Sequence, residues 1–193
     1  MAERCVGGQG KMGRRDVFVI GPRCRAREPG NYFIGRVVDQ EVFVIRNAEG
    51  QLNAFFNACR HRGHPLVSKD GACSRRITCP YHAWSYSLDG ELVATPNVAK
   101  EELDRMAFPL HRVAVESWQG MLFVSLATDP PPLVDWLAEH SDEILSFERL
   151  QLDRLRLGRL ETSTVAANWK ILVENYAECL HCPQIHPELV EII

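Results

Sequence analysis

Two cysteines and two histidines stand in two short motifs, and these side chains are well suited to binding a metal. The first motif is Cys59-Arg60-His61, and the second, seventeen residues later, is Cys79-Pro80-Tyr81-His82. Each motif offers one thiolate and one imidazole. Donors of these types suit either a tetrahedral zinc ion or a [2Fe–2S] cluster in which two histidines replace two cysteines on one iron.

The spacing of the donors favours the cluster, although it leaves the zinc interpretation open. Zinc fingers usually pair Cys with Cys and His with His in a unit of about thirty residues. Here each motif mixes the two types, within a β-rich stretch over residues 17–127. In a mixed cluster, two thiolates hold one iron and two imidazoles hold the other. For such a cluster to sit between the two loops, each loop must contribute one thiolate and one imidazole.

Short β-type runs separated by turn residues place both motifs on loops at the ends of strands. Asp89-Gly90 is a strong hairpin signal because both residues tolerate positive φ. The predicted strands are 32–38, 41–46, 51–56, 75–78, 84–87, 91–94, 112–117 and 121–126. The sequence therefore predicts a mainly antiparallel β domain around the two motifs.

Three consecutive prolines, 130–132, mark the predicted domain boundary, since proline can continue neither a sheet ladder nor a helix. We predict a disordered leader over 1–16, a β domain over 17–127 and a second domain over 128–193. Within the second domain we expect a helix over 133–147, a strand over 154–165 and a helix that begins at an Asn168 N-cap. The apolar stripe of that last helix comprises Trp169, Leu172, Val173, Tyr176 and Leu180.

Composition and charge restrict the class of protein. The chain has 193 residues, 46% of them apolar and 24% charged, with a net charge of −3. These values are typical of a globular protein and give no electrostatic reason to expect nucleic acid or anionic lipid as a partner. We also find no export signal and no apolar run of bilayer length, and therefore expect a cytoplasmic protein without a membrane partner or a disulfide framework.

A second set of candidate ligands lies near the end of the chain. Glu174, Glu178 and His181 are spaced i, i+4 and i+7, which predicts two carboxylates and an imidazole on one helical face. The alternative is a solvated polar face. Pro183 is predicted to end the helix, so that His186 curls back toward His181 and the two imidazoles share one metal.

The first two motifs resemble the cluster-binding loops of the Rieske family, in the wording Cys59-Arg-His-Arg-Gly63 and Cys79-Pro-Tyr-His-Ala-Trp84. The resemblance covers about residues 30–127. It implies that the two cysteines hold the inner iron of a [2Fe–2S] cluster and that the two histidines hold the outer iron.

The last motif resembles the start of the catalytic domain of Rieske non-haem iron oxygenases. By that resemblance His181 and His186 are two of the three ligands of a mononuclear Fe(II), and the third is an acidic residue far downstream, beyond Ile193. Glu178 matches the family's bridging acid, commonly Asp, which joins a cluster histidine of the neighbouring subunit to the iron site.

The resemblance implies a Rieske-type antiparallel β domain followed by the start of an α+β, helix-grip catalytic domain. It implies the α subunit of a mono- or dioxygenase that takes electrons from a reductase or ferredoxin and uses O₂ to hydroxylate or oxidatively demethylate a small organic substrate. Aromatic compounds and quaternary amines such as glycine betaine or choline are both candidate substrates, and the full-length family member is expected to be a homo-oligomer, a trimer. We expect the 193-residue chain, as an N-terminal fragment, to lack turnover. A Rieske ferredoxin without chemistry of its own is the alternative.

Overall fold

The computed structural model describes residues 17–96, 98–99, 101–138, 145–159, 163–178 and 180–190, so the predicted leader lies outside the described residues. Its ten strands are β1 Val17–Pro22, β2 Asn31–Val37, β3 Gln40–Arg46, β4 Leu52–Phe56, β5 Gly71–Ala72, β6 Arg76–Thr78, β7 Ser85–Ser87, β8 Leu92–Ala94, β9 Arg112–Trp118 and β10 Met121–Ser125. The α-helices are α1 Leu133–Ala138, α2 Trp169–Tyr176, α3 Cys182–Ile185 and α4 Pro187–Val190. Short 3₁₀ helices cover Arg23–Ala26, Arg105–Ala107, Leu145–Leu150 and Leu152–Arg154.

The strands form two antiparallel sheets, which confirms the mainly β prediction. The larger sheet has the order β1-β10-β9-β4-β3-β2-β5, and the smaller has the order β6-β7-β8. The predicted hairpins are present, with β7 paired to β8 and β9 paired to β10. The first motif follows β4 and the second connects β6 to β7, so both lie on loops at strand ends as predicted.

Strand β3 is buried on both faces and divides the core in two. Phe43 and Ile45 point into one cluster, which also contains both motif cysteines and the side chains of the smaller sheet. Val42 and Val44 point into the other cluster, together with apolar side chains of β2, β4, β9 and β10. All four of these β3 side chains have no exposed surface. This pattern follows from the period of two in a strand, because successive residues face opposite sides of the sheet.

A polar network ties the β7–β8 hairpin to the larger sheet. One carboxylate oxygen of Asp89, Oδ1, accepts hydrogen bonds from Asn47 Nδ2 at 2.8 Å and Asn53 Nδ2 at 2.9 Å. Arg112 donates to the Asp89 backbone carbonyl at 2.8 Å and to Asn53 Oδ1 at 3.1 Å. The next residue, Gly90, has φ +86°, and a Cβ there would lie 2.4 Å from a ring carbon of Phe55. The β7–β8 hairpin, which follows the second motif, is therefore held closely against β4.

Beyond residue 127, the structure differs from the prediction in part. Of the helix predicted over 133–147, α1 covers Leu133–Ala138, residues 139–144 lie outside the described residues, and Leu145–Leu150 form a 3₁₀ helix. The strand predicted over 154–165 is wrong, since residues 155–159 and 163–165 form no strand. Alternating side chains give a strand only when a neighbouring strand can complete its backbone hydrogen bonds.

Helix α2 begins as predicted. Asn168 Oδ1 accepts a hydrogen bond from the Lys170 backbone N–H at 3.0 Å, which is the expected N-cap. Its apolar stripe is largely exposed, however: 55% of Val173 and 87% of Tyr176 are accessible. In the described residues, every helix is too short or too polar to cross a lipid bilayer.

Candidate functional site

The two motif loops have the same backbone hydrogen-bond pattern. In the first, the Cys59 carbonyl accepts from the Gly63 N–H at 2.8 Å, and the Cys59 N–H donates to the His64 carbonyl at 2.9 Å. In the second, the Cys79 carbonyl accepts from the Ala83 N–H at 3.0 Å, and the Cys79 N–H donates to the Trp84 carbonyl at 2.8 Å. Each loop thus returns on itself four to five residues after its cysteine.

The residue four positions after each cysteine has a left-handed backbone. Gly63 has φ +70° and Ala83 has φ +57°. Glycine adopts this conformation without steric cost, whereas alanine does not. The turn at Ala83 is therefore maintained by the hydrogen bonds around it and by the paired strands on either side.

The loops sort the four donors into a buried pair and an exposed pair. Cys59 is 3% exposed and Cys79 is 2% exposed, and their thiols contact each other. The imidazoles of His61 and His82 are exposed, with ring centroids 4.7 Å apart. Among the described residues, no group of three or more His, Cys, Asp or Glu side chains is close enough together to hold one metal ion.

Two aromatic side chains hold the first loop in place. The indole of Trp84 stacks on the imidazole of His61, with ring centroids 4.8 Å apart and planes 12° apart. The Tyr86 hydroxyl accepts from the Arg60 backbone N–H at 3.0 Å, which leaves its own hydrogen free to bond with Cys59 Sγ at 3.3 Å. Tyr86 is fully buried, and burial raises the pKa of its hydroxyl, as does the bond to Cys59.

Tyr86 was not predicted from the sequence to be part of the site. Tyr86 lies on β7, 27 positions from Cys59, and the pairing of β7 with β6 and β8 brings it under the first loop. One indication of this role was present in the sequence: Tyr86 is the only tyrosine in the predicted strand 84–87, which follows the second motif.

The electrostatic environment differs between the buried thiols and the exposed imidazoles. Burial raises the pKa of the Cys59 thiol, and contact with Cys79 adds to this, while the bonds from Tyr86 and the His61 backbone N–H act against it. The pKa of His82 is lowered, first by desolvation and then by the positive charge of His61, Arg62 and His64. A lowered pKa keeps the imidazole neutral, and the neutral form is the one that binds metals.

The second candidate site is built on a turn. Helix α2 ends at Tyr176, so the prediction that Glu178 and His181 share its face is wrong. They are nevertheless joined, with Glu178 Oε1 accepting from His181 Nδ1 at 2.8 Å. That bond lowers the pKa of Glu178. Because Nδ1 carries the hydrogen in this bond, Nε2 of His181 is left available to a metal.

Pro183 has the opposite role to the one predicted. It lies in the first turn of α3 and begins a helix instead of ending one. Proline suits this position because the N–H it lacks would have no partner there. Helix α3 then brings His186 back toward His181, and their ring centroids are 5.7 Å apart.

A comparison with protein families identifies both parts of the chain. The family described as Rieske [2Fe–2S] domain matches residues 17–119, which is more than half of the 193 residues. This chain belongs to the Rieske [2Fe–2S] domain family. A second family, the ring hydroxylating alpha subunit catalytic domain, matches residues 141–193. The first of these domain types carries a [2Fe–2S] cluster, and the second uses a mononuclear iron.

Curated relatives of this chain are oxygenase subunits of monooxygenases. The glycine betaine monooxygenase oxygenase subunit of Chromohalobacter salexigens is 37% identical over 171 residues, which are 89% of this chain and 38% of the relative. The carnitine monooxygenase oxygenase subunit of Acinetobacter pittii is 34% identical over 167 residues, 86% of this chain and 45% of the relative. The chain therefore spans about two fifths of the length of these relatives.

A solved structure shows the same fold. It is that of a quaternary ammonium Rieske monooxygenase, described in connection with carnitine oxidation by gut microbiota and inter-subunit electron transfer. It superimposes with a TM-score of 0.77 and 30% identity, over 90% of this chain and 48% of that chain.

The donor arrangement fits a Rieske cluster better than it fits zinc. In such a cluster each of the two irons takes two protein ligands, so a buried pair of thiolates and an exposed pair of imidazoles match the two irons. A structural zinc ion takes all four ligands at one point. The pairing of the donors and the family match agree on the iron–sulfur interpretation.

Proposed function

We propose that this chain forms part of the oxygenase subunit of a Rieske oxygenase. The observation that carries the proposal is the sorting of four donors into a buried thiol pair and an exposed imidazole pair on two loops of identical hydrogen-bond pattern. We divide the chain into a Rieske unit over 17–127 and a part of the catalytic domain over 128–193. Residues 1–16 are assigned no role.

In this proposal Cys59 and Cys79 hold the inner iron, and His61 and His82 hold the outer iron. When bound, the cluster exchanges single electrons, and the mononuclear iron of the catalytic domain activates O₂. The two cysteines are buried, which keeps water from their sulfur atoms. The histidines lie at the surface, where an electron donor and an acceptor can approach them.

His181 and His186 are proposed as two ligands of the mononuclear iron, with a carboxylate as the third. Glu178 orients His181 through the bond at 2.8 Å and fixes the hydrogen on Nδ1. We also propose that this carboxylate is the bridging acid between the iron site and a cluster histidine. Such a bridge joins two subunits, which requires a homo-oligomer, and we propose a trimer.

The proposed substrate class is the quaternary amines, because the relatives with the highest identity reported above act on glycine betaine or carnitine by their names. The chemistry would be hydroxylation or oxidative demethylation, supplied with electrons by a reductase or ferredoxin. Hydroxylation of an aromatic ring is the second candidate, supported by the family name of the 141–193 match. A cytoplasmic location stays a prediction.

The first test is the metal content of the purified chain. We expect two acid-labile sulfides and at least two irons per chain, with the visible and electron paramagnetic resonance spectra of a cluster with histidine ligands. Cys59→Ser and Cys79→Ser should abolish the sulfide, whereas Cys24→Ser is the matched control and should not. Stoichiometric zinc without sulfide would overturn the proposal.

A second test separates the oxygenase from an electron carrier. Anaerobic Fe(II) titration of the cluster-loaded chain is compared with that of the His181→Ala, His186→Ala double variant. The oxygenase assignment predicts an additional Fe(II) site that the double variant lacks, while its cluster spectrum is unchanged. A carrier has no such site, so identical titrations would favour the carrier.

A further inference from the structure

An open pocket at the end of β3, which contains no residue of either motif, is lined by four arginines. The pocket has a volume of about 240 Å³. Its charged lining residues are Arg23, Arg27, Arg46, Arg156 and Asp153. Four cationic side chains around one carboxylate is an unusual grouping for a chain whose net charge is −3.

Two of these guanidinium groups are already held in place by backbone carbonyls. Arg46 donates through Nε to the Ala26 carbonyl at 2.6 Å and also donates to the Gly50 carbonyl. Arg156 donates to the Leu155 carbonyl at 2.9 Å. These neutral partners leave the positive charges in place and already restrict the arginine side chains. Less side-chain conformational entropy is therefore lost when a ligand binds.

The positive charge of the pocket is poorly compensated. Among the described residues, the one ion pair that involves any of the four joins Arg27 Nε to Glu28 Oε1 at 3.4 Å, and both side chains are about 70% exposed. Burial lowers the pKa of Arg46, and the charge of Arg23 lowers it further, while the nearby Glu28 carboxylate raises it by less. The cations around Arg46 are therefore only partly compensated.

The pocket joins two parts of the chain. Arg23, Arg27 and Arg46 come from the Rieske unit, while Asp153 and Arg156 follow the proline boundary. The two parts meet at Gly120, which has φ +77° and where a Cβ would lie 2.8 Å from Asp153 Cα. This close backbone approach places Asp153 and Arg156 beside the arginines of the Rieske unit.

We propose that this arginine pocket binds a phosphate group, either as free phosphate or as part of an organic phosphate. Guanidinium groups present planar pairs of N–H donors that match phosphate oxygens, and they remain charged at all physiological pH values. A bound phosphate would neutralise the excess charge and link residues 153–156 to the Rieske unit. The site is separate from the cluster loops, so its test does not depend on the proposed function.

The test is isothermal titration calorimetry of the full 193-residue chain at constant ionic strength, with inorganic phosphate in one arm and ADP in the other. We expect saturable binding at one site. Arg23→Gln and Arg156→Gln should each weaken it about tenfold, as expected for the loss of one charge-assisted hydrogen bond. Tighter binding of ADP would assign an organic phosphate, and tighter or equal binding of inorganic phosphate would assign the free ion.

Two further variants distinguish a site from general electrostatic attraction. Arg36→Gln removes an exposed arginine of β2 outside the pocket and should leave the affinity unchanged. Asp153→Asn removes the one carboxylate of the lining and should tighten binding, a gain that damage to the fold would not produce. Absence of saturable binding in both arms, or an equal loss of affinity in Arg36→Gln, would overturn the proposal.

Discussion

Tyr86 is the single residue whose contacts bear most directly on the electron-transfer properties of the proposed cluster. Its hydroxyl lies 3.3 Å from Cys59 Sγ, and hydrogen bonds to ligand sulfur stabilise the more negative, reduced state. Tyr86→Phe should therefore lower the reduction potential by about 20 to 60 mV, the one-electron equivalent of about 0.5–1.5 kcal/mol. Spectroscopic redox titration would measure the change.

Tyr81→Phe is the matched control for that measurement. Tyr81 is 57% exposed, and its ring contacts His82 with centroids 3.8 Å apart, so the substitution keeps the ring and removes only a hydroxyl. Its potential should stay at the wild-type value. An equal shift in both variants would mean that the Tyr86 bond does not set the potential.

Glu178 gives a pH-dependent prediction. Since the bond from His181 lowers the pKa of this carboxyl below its usual value of 4.5, the contact is present above that pH and is lost as the pH falls through the lowered pKa. In the metal-free chain, a carbon-detected NMR titration should show this lowered pKa. His181→Ala should raise this pKa toward the usual value, although the bond from the Leu180 backbone N–H still lowers it. An unchanged titration in that variant would contradict the observed bond.

Some functional residues could be predicted from the sequence and others could not. The four motif donors could be named because their types and spacing are local properties of the chain. Tyr86 and the Asp89 network could not, because their partners lie 23 to 42 positions away and depend on strand pairing. The assignment of the four donors and of His181 and His186 as metal ligands stays a prediction.

At the level of elements, the two motif loops are a natural pair for comparison. They share one hydrogen-bond pattern, but the left-handed position is Gly63 in one and Ala83 in the other. A Cβ at Gly63 would have no atom within 4 Å, so Gly63→Ala tests the backbone conformation alone. We expect it to reduce the free energy of unfolding by about 1 kcal/mol and Ala83→Gly to increase it by up to about the same amount.

Urea unfolding of the cluster-free chain would measure both changes. Gly158→Ala is the control, since a Cβ there also has no atom within 4 Å and its φ is outside the left-handed range. It should not destabilise the protein in the same way. If Gly63→Ala proved neutral, the left-handed turn would not be maintained in the unliganded protein.

The attachment of the β7–β8 hairpin depends on Asp89. Removing its carboxylate leaves the amide groups of Asn47 and Asn53, which are 2% and 9% exposed, without their shared acceptor. Asp89→Ala should therefore cost about 1–3 kcal/mol of unfolding free energy. Asp39→Ala, at an exposed position between β2 and β3, is the control and should cost much less. Equal costs would show that the network does not hold the sheets together.

Sequence patterns predicted elements well where the partner lay nearby. The Asp89-Gly90 turn joins strands whose pairing is local, and Asn168 caps α2 with its own side chain, so each could be predicted from a few residues. The strand predicted over 154–165 failed because, in the part of the chain that the structure describes, no strand lies beside this segment to complete its backbone hydrogen bonds. The role of Pro183 was misjudged because a proline can end one helix or begin the next, and the chain between Tyr176 and Cys182 determines which occurs.

At the level of the whole molecule, burial is concentrated in the Rieske unit. Val42, Phe43, Val44 and Ile45 of β3 have no exposed surface, and two core clusters enclose them. The segment 163–190 differs: the stripe side chains Val173, Tyr176 and Leu180 are 55%, 87% and 87% exposed. A helix as short as α2, with eight residues, is marginal in water without tertiary packing.

This contrast predicts how the 193-residue chain exchanges its amide hydrogens. Amides of β3 and β4 should exchange only on global unfolding, whereas those of α2 and α3 should exchange through local opening and much faster. Mass spectrometry of peptides from the two regions would measure the difference. The Asp89→Ala variant is the matched comparison. It should speed amide exchange in β7 and β8 and leave exchange in α2 unchanged, because the Asp89 network does not reach that helix. Slow exchange in α2 of the wild-type chain would mean that its exposed stripe is covered in solution, for example by a second copy of the chain.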